Sequence, residues 1–306
     1  MLAIFACRAG SRPRTRARPR PRARPFAATL LLALAFAGGV GLPEAGARHL
    51  PADQVARHLV TVADREWRDW GQTEVDVSDG WSRVLRLGAI ETDRSWLPEA
   101  ARCTVARVRS REEGCHHAEA FDARERLARY WREGLGPDSR PARDPALLER
   151  RVRHSAWSAV FVSYLMRQVG LAAEAFPFDA AHSNYLRGLA ERAGDADPAA
   201  GRRAQFALLL VRETPLAVGD LVCGPRNASH DPGVFSLAAM RAMSDLDRLR
   251  EAHCDLVVAV DRRVRQARVI GGNVEDSVAM TRIPLTADGR AIRTLARPWF
   301  VLARPQ

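Results

Sequence analysis

No lysine occurs anywhere in the 306 residues, and the 47 basic residues are all arginine. A cation inventory of one type points to a GC-rich coding bias rather than to recognition chemistry. No apolar stretch reaches the roughly 20 residues that a membrane-spanning helix needs; the longest runs from Phe26 to Leu42. No cysteine stands at the cleavage point after that run, so lipid anchoring there is not expected. No pair of cysteines or histidines has the spacing of a zinc site, and Cys115-His116-His117 alone supplies too few ligands. No cofactor motif and no internal repeat is present. These absences argue against a zinc module and a membrane span, an uncleaved anchor at the apolar run being the alternative.

What the first 47 residues contain is a leader. Eight arginines (Arg8, Arg12, Arg14, Arg16, Arg18, Arg20, Arg22 and Arg24) precede the apolar run, and Ala45-Gly46-Ala47 is a small-x-small cleavage site. The expectation is an exported protein, periplasmic or secreted, cut after Ala47. Removing this leader also removes the argument for a nucleic-acid partner. The whole chain carries a formal +11; the leader holds eight basic residues and one acid, Glu44. That leaves 39 basic and 35 acidic residues, a net +4, which is no polyanion-binding signal. Four cysteines then remain, Cys103, Cys115, Cys223 and Cys254. An even count in an exported chain favours disulfides.

After residue 47 the order of elements is helices first, strands later. Apolar spacing predicts helices over Ala52–Gly71 and Ala123–Gly134, and a Pro/Asp/Arg-rich loop over Gly136–Pro145. The stretch His154 to Gly170 is apolar in nearly every direction and reads as a buried helix stopped by Gly170. A further helix is expected over Asp179–Arg192. From Pro215 the period becomes strand-like, with strands ending at Cys223, spanning His253–Val260 and Arg268–Asn273, and closing over Trp299–Ala303. Residues 224–250 read as an insertion containing a helix over Ser236–Leu249. The class is α+β, a central helix packed on an antiparallel sheet. The expected organisation is a signal peptide over 1–47, a helical and irregular extension over 48–120, and one domain over 121–306.

Cys223 and Cys254 fall near the same end of adjacent antiparallel strands, so one disulfide is expected there and a second from Cys103 to Cys115. His253 and Asp255 share one strand face, and Cys254 the other. With an odd hairpin loop His253 faces Asn273; an even loop sets Asn273 opposite Cys254. In the first case Ser158, His253 and Asn273 have the types of nucleophile, base and orienting residue. Read alone, Ser158 is equally a helix cap, His253 a satisfied rim histidine, and Asn273 a turn residue.

The segments Trp157-Ser158-Ala159-Val160-Phe161, His182-Ser183-Asn184-Tyr185, Gly219-Asp220-Leu221-Val222, His253-Cys254-Asp255-Leu256 and Ile270-Gly271-Gly272-Asn273 together resemble the bacterial family called domain of unknown function 2272. That family is similar to the papain-like NlpC and CHAP peptidoglycan hydrolases. The resemblance implies a papain-like fold over about 120–303. It puts Ser158 at the position of the nucleophilic cysteine, His253 at the base and Asn273 at the third member. Asp179 and His182, three residues apart on one expected helix, are candidates to line the cleft and bind substrate together with Trp157 and Tyr185, the other reading of His182 being an ordinary hydrogen-bonded histidine. The implied partner is cell-envelope material such as a peptidoglycan peptide. Serine in place of cysteine requires a stronger base and a formed oxyanion site. The chain is therefore either a serine hydrolase acting on an amide or ester of the envelope, or a silent module that binds in the same cleft.

Overall fold

The computed structural model describes residues 50–90, 123–196, 204–226 and 252–306. The leader, the Cys103–Cys115 pair and the helix expected over Ser236–Leu249 lie outside the described residues. Six helices are described: α1 (Ala52–Asp69), α2 (Ala123–Leu135), α3 (Arg140–Arg143), α4 (Pro145–His154), α5 (Ser158–Gln168) and α6 (His182–Gly194). Eight strands follow the order β2-β1-β7-β6-β5-β4-β8-β3 in one sheet. They are β1 (Thr73–Asp76), β2 (Arg83–Arg86), β3 (Phe206–Leu210), β4 (Leu221–Pro225), β5 (Ala252–Asp261), β6 (Gln266–Val274), β7 (Ser277–Pro284) and β8 (Val301–Pro305). Among the described residues no helix is long and apolar enough to cross a membrane.

The class is α+β, but the sheet is mixed where an antiparallel one was expected. β1 runs parallel to β7, with Thr73 opposite Ala279 and Asp76 opposite Arg282. A hairpin forces its strands antiparallel, whereas strands this far apart in sequence are under no such constraint. The expected extension thus adds α1, β1 and β2 to the same core and sheet as the rest.

Each sheet face buries its own set of side chains, as a two-residue period requires. Leu221, Cys223, Val301 and Ala303 face the helices, while Val222 and Leu302 join Val75, Val257, Val269 and Trp299 on the other side. On the helical side α5 is the centre: nine of its 11 residues are buried. It begins at Ser158, four residues later than expected, because Asp144 and Pro145 start a separate helix. The Asp144 carboxylate accepts from the Ala146 and Leu147 N–H groups, Pro145 occupies a first-turn position that needs no donor, and α4 then runs to His154. The expected loop over Gly136–Pro145 also holds the single turn α3, capped by Ser139. Gly170 does end α5: at φ +83° it donates to the Arg167 carbonyl while Leu171 donates to that of Met166.

Two polar contacts lock the layers. Asp220 is buried and accepts both arms of the Arg304 guanidinium, at 2.8 and 2.7 Å, tying the start of β4 to β8. Cys223 and Cys254 stand directly opposite each other on β4 and β5, and they are disulfide-bonded with a Cα separation of 4.1 Å. The bond closes 31 residues of chain. A Cys223→Ser/Cys254→Ser double variant is expected to lose about 3–4 kcal/mol, the chain-entropy figure for a loop of that size. Denaturant unfolding of the oxidised chain and the variant, fitted with a common slope, checks this; an unchanged midpoint would contradict it.

A candidate active site at the start of α5

Ser158 is the first residue of α5, and its hydroxyl does not cap the helix. The N-cap is Trp157, and no side chain caps that terminus. The Ser158 hydroxyl, only 3% exposed, turns instead toward α6 and β4. Its Oγ lies 2.7 Å from Nε2 of His182 and accepts from Nη2 of Arg226 at 2.9 Å. The other nitrogen of His182, Nδ1, is hydrogen-bonded to the Tyr185 hydroxyl one turn further along α6. Ser163, five residues further along α5, fixes the entry to α6. It donates to the Asp179 carbonyl at 2.9 Å and accepts from the Asp179 N–H at 3.1 Å. Asp179 lies before α6 rather than on it; its carboxylate accepts from the Ala181 N–H and the Asn184 amide. Asp179 therefore shapes the loop that delivers His182.

His253 sits near the start of β5, and its Nε2 is 2.7 Å from Oδ1 of Asp255, two residues on and on the same face. The two imidazoles of His182 and His253 meet edge to face with centroids 5.5 Å apart. The hairpin from β5 to β6 pairs Asp261 with Gln266, an even four-residue loop, yet a bulge near Val258 shifts the register so that Leu256 faces Ile270. The ladder then stops short of Asn273, which is left-handed at φ +56° and lines a pocket with His253. The glycines before it are required by what they face. A Cβ on Gly271 would lie 1.7 Å from Oδ1 of Asp255, and one on Gly272 would lie 2.7 Å from Phe161 and Trp157. Trp157 itself is buried, stacked on Trp70 at 5.2 Å.

Burial sets the charge states. His182 is held well below the usual histidine value by desolvation first, then by the proximity of His253 and Arg226. His253 is lowered by burial, although Asp255 opposes that shift. Burial pushes Asp255 up, but His253, Arg297 and Arg226 outweigh it and hold the carboxyl below the usual range. Tyr185 is raised well above 10 by burial and by the charge of Asp255, so its proton stays on. An ionised Asp255 only accepts, so the neutral His253 must donate from Nε2. Its Nδ1 is then a bare lone pair, buried and without a hydrogen-bond partner among the described residues.

Of the residues singled out from sequence, Ser158, His182 and Tyr185 form one hydrogen-bonded chain, and His253 stands beside it. Asn273 shares the pocket of His253. Arg226, which donates to Ser158, and Asp255, which holds His253, were not singled out. Asp255 was findable, since its two-residue spacing from His253 puts both on one strand face. Arg226 follows β4 with no pattern to mark it. Among the described residues no group of histidine, cysteine and carboxylate side chains is placed to hold a metal ion. A family model described as an uncharacterized protein conserved in bacteria, domain of unknown function 2272, matches residues 122–304, more than half of the chain. No curated protein and no solved structure matches it.

Proposed function

This chain belongs to the domain of unknown function 2272 family, and we propose that it is an exported hydrolase with a papain-like core akin to NlpC and CHAP enzymes, cleaving an amide or ester of the cell envelope with Ser158 as nucleophile. One observation carries this reading: a buried serine hydroxyl touches both a neutral imidazole and a guanidinium. His182 takes the proton as Ser158 Oγ attacks the carbonyl carbon, which requires Nε2 to be the unprotonated nitrogen and Nδ1–H to donate to Tyr185. Arg226 stabilises the negative charge that develops on the oxygen. The imidazolium returns the proton to the departing amine or alkoxide, and a water repeats the cycle on the acyl-enzyme. His253, held by Asp255, packs edge to face against His182, and Asn273 lies on the wall of the pocket that His253 lines.

The burial of Ser158, at 3% exposure, supports the second reading, a silent module that binds envelope material in this cleft. Labelling separates the two. An alkyl fluorophosphonate is expected to leave a single adduct, located on Ser158 by peptide mapping. Because His182 is depressed by burial, the rate should stay level through neutral pH and fall only below the ordinary histidine value of about 6.5, as the base becomes protonated. A fall centred at or above that value would contradict the neutral-base mechanism. Absence of any adduct on Ser158 across the pH range leaves the binding module as the reading.

A further inference from the structure

The end of the sheet opposite the candidate site is basic and apolar together. The β5–β6 hairpin closes through Arg262, Arg263, Val264 and Arg265, all exposed. Backbone bonds tie this tip to its neighbours. The Leu285 N–H donates to the Arg265 carbonyl at 2.8 Å, and the Leu216 N–H to the Gly289 carbonyl at 2.9 Å. The loop before β4 and the segment after β7 thus lie beside the tip. Val264 is 67% exposed, Val218 45% and Ile292 41%, so this end gathers aliphatic side chains that the core does not use. We propose that this surface docks the protein on a bilayer of anionic lipids, independently of the chemistry at Ser158.

Charge selects an anionic partner. The side chains of Arg262, Arg263, Arg265 and Arg268 are exposed and have no hydrogen-bond or ion-pair partner among the described residues. Neighbouring arginines are matched: Arg282 with Glu74, Arg290 with Asp288 and Arg212 with Glu213. The acid of the hairpin, Asp261, accepts from the N–H groups of Arg263 and Val264. Four unmatched cations against that one carboxylate leave +3. Arg268 also stands directly across from Arg282 on β7, a like-charge pair that an added anion relieves. The apolar groups then choose between anions. A groove of about 820 Å³ at this end is lined by Leu216, Ala217, Ala259 and Val260 as well as by Arg262 and Arg268. No aromatic side chain of the described residues lines it, so single-stranded nucleic acid finds no stacking surface. A lipid surface satisfies both parts. Guanidinium groups stay with the phosphates while valine and the arginine stems enter the interface. His253 lies eight residues back along β5 from Asp261, about 27 Å at the rise of a strand. Docking by this end holds the candidate site away from the bilayer.

Hydrogen exchange followed by mass spectrometry tests the proposal on the full chain. The additions are vesicles of phosphatidylglycerol with phosphatidylcholine, vesicles of phosphatidylcholine alone, and heparin. Reading the amides of 216–218 and 262–265 separates this surface from the arginine-rich leader. Both segments are expected to gain protection on the anionic vesicles and none on the neutral ones. An arginine near an anionic leaflet adds roughly fivefold in partitioning. The triple variant Arg262→Gln/Arg263→Gln/Arg265→Gln should therefore raise the lipid concentration for half-protection about a hundredfold. Val264→Asp, at an exposed position, should raise it about tenfold or more. Absence of protection on anionic vesicles, equal protection on neutral ones, or a half-protection point unmoved in either variant overturns the proposal. Protection by heparin that survives Val264→Asp also overturns it, and gives the surface to a soluble polyanion.

Discussion

Replacing Ser158 with alanine is expected to lower hydrolysis of an activated ester by about 10³-fold or more, the scale on which a nucleophile acts within a catalytic unit. The fold should survive. Removal of the hydroxyl leaves Nε2 of His182 and one Arg226 donor without their partner, at about 1–3 kcal/mol for a stranded buried group. His182→Gln and His253→Gln, assayed side by side, assign the base. Loss confined to the first supports the direct contact of 2.7 Å; loss confined to the second moves the role to His253. Ser158→Cys is the complementary measurement. A thiol beside Arg226 and two imidazoles is expected to react with iodoacetamide faster than an ordinary thiol, because the guanidinium favours the thiolate. An inert thiol together with an alanine variant that behaves like wild type would remove the enzyme reading.

The second large effect is on stability and comes from Glu66. This α1 carboxylate is fully buried. It accepts from the Tyr130 hydroxyl at 2.6 Å, the Tyr164 hydroxyl at 3.0 Å, Arg129 at 2.8 Å and Arg126 at 3.2 Å. Trp70 adds an indole N–H to Tyr130 at 2.9 Å. Burial and then Glu66 raise Tyr130 well above 10 and bring Tyr164 to about 12, so both keep the protons they donate. Glu66→Ala strands two hydroxyls and leaves the arginines without their common acceptor. A loss of about 3–5 kcal/mol is expected, as when one partner of a buried ionic group is deleted. Glu66→Gln should cost less, since an amide oxygen still accepts from one tyrosine. Chemical denaturation with matched slopes measures both; a cost under about 1 kcal/mol for the alanine variant would show that α1 is not anchored this way. Glu66 precedes the residues matched by the family model, so this prediction also tests whether the matched region stands without α1.

The legible parts of this fold were those with strong local periodicity. The Val-rich β5 and the largely apolar α5 announce themselves because burial on most sides leaves few polar positions. β3 (Phe-Ala-Leu-Leu-Leu) went unread because a short leucine run suits helix and strand alike, and β7 because Thr281 and Ser277 are polar yet buried. α4 was missed although Asp144-Pro145 is a sound helix start; the many arginines after it masked the pattern. Loop parity alone misplaces the β5–β6 register, since the bulge near Val258 restores what the even loop removes. At the site, Ser158, His182 and His253 were visible as chemistry-bearing types at element starts. Arg226 and Arg297 were not, because one arginine among 47 carries no signal until the fold brings it to a hydroxyl.

The strand order has a kinetic consequence. β4 to β7 are sequential neighbours, so their pairing closes only short loops apart from the 224–253 connection, whereas β1 must find β7 and β3 must find β8 across long stretches of chain. Loop-closure entropy makes distant pairings the slow ones. His253, Asp255 and Gly271 belong to the meander, while Ser158 and His182 arrive on helices from far upstream. A chain that has zipped only its meander has an oriented imidazole and no hydroxyl beside it, so the candidate site is assembled only when the helices bearing Ser158 and His182 dock on the sheet.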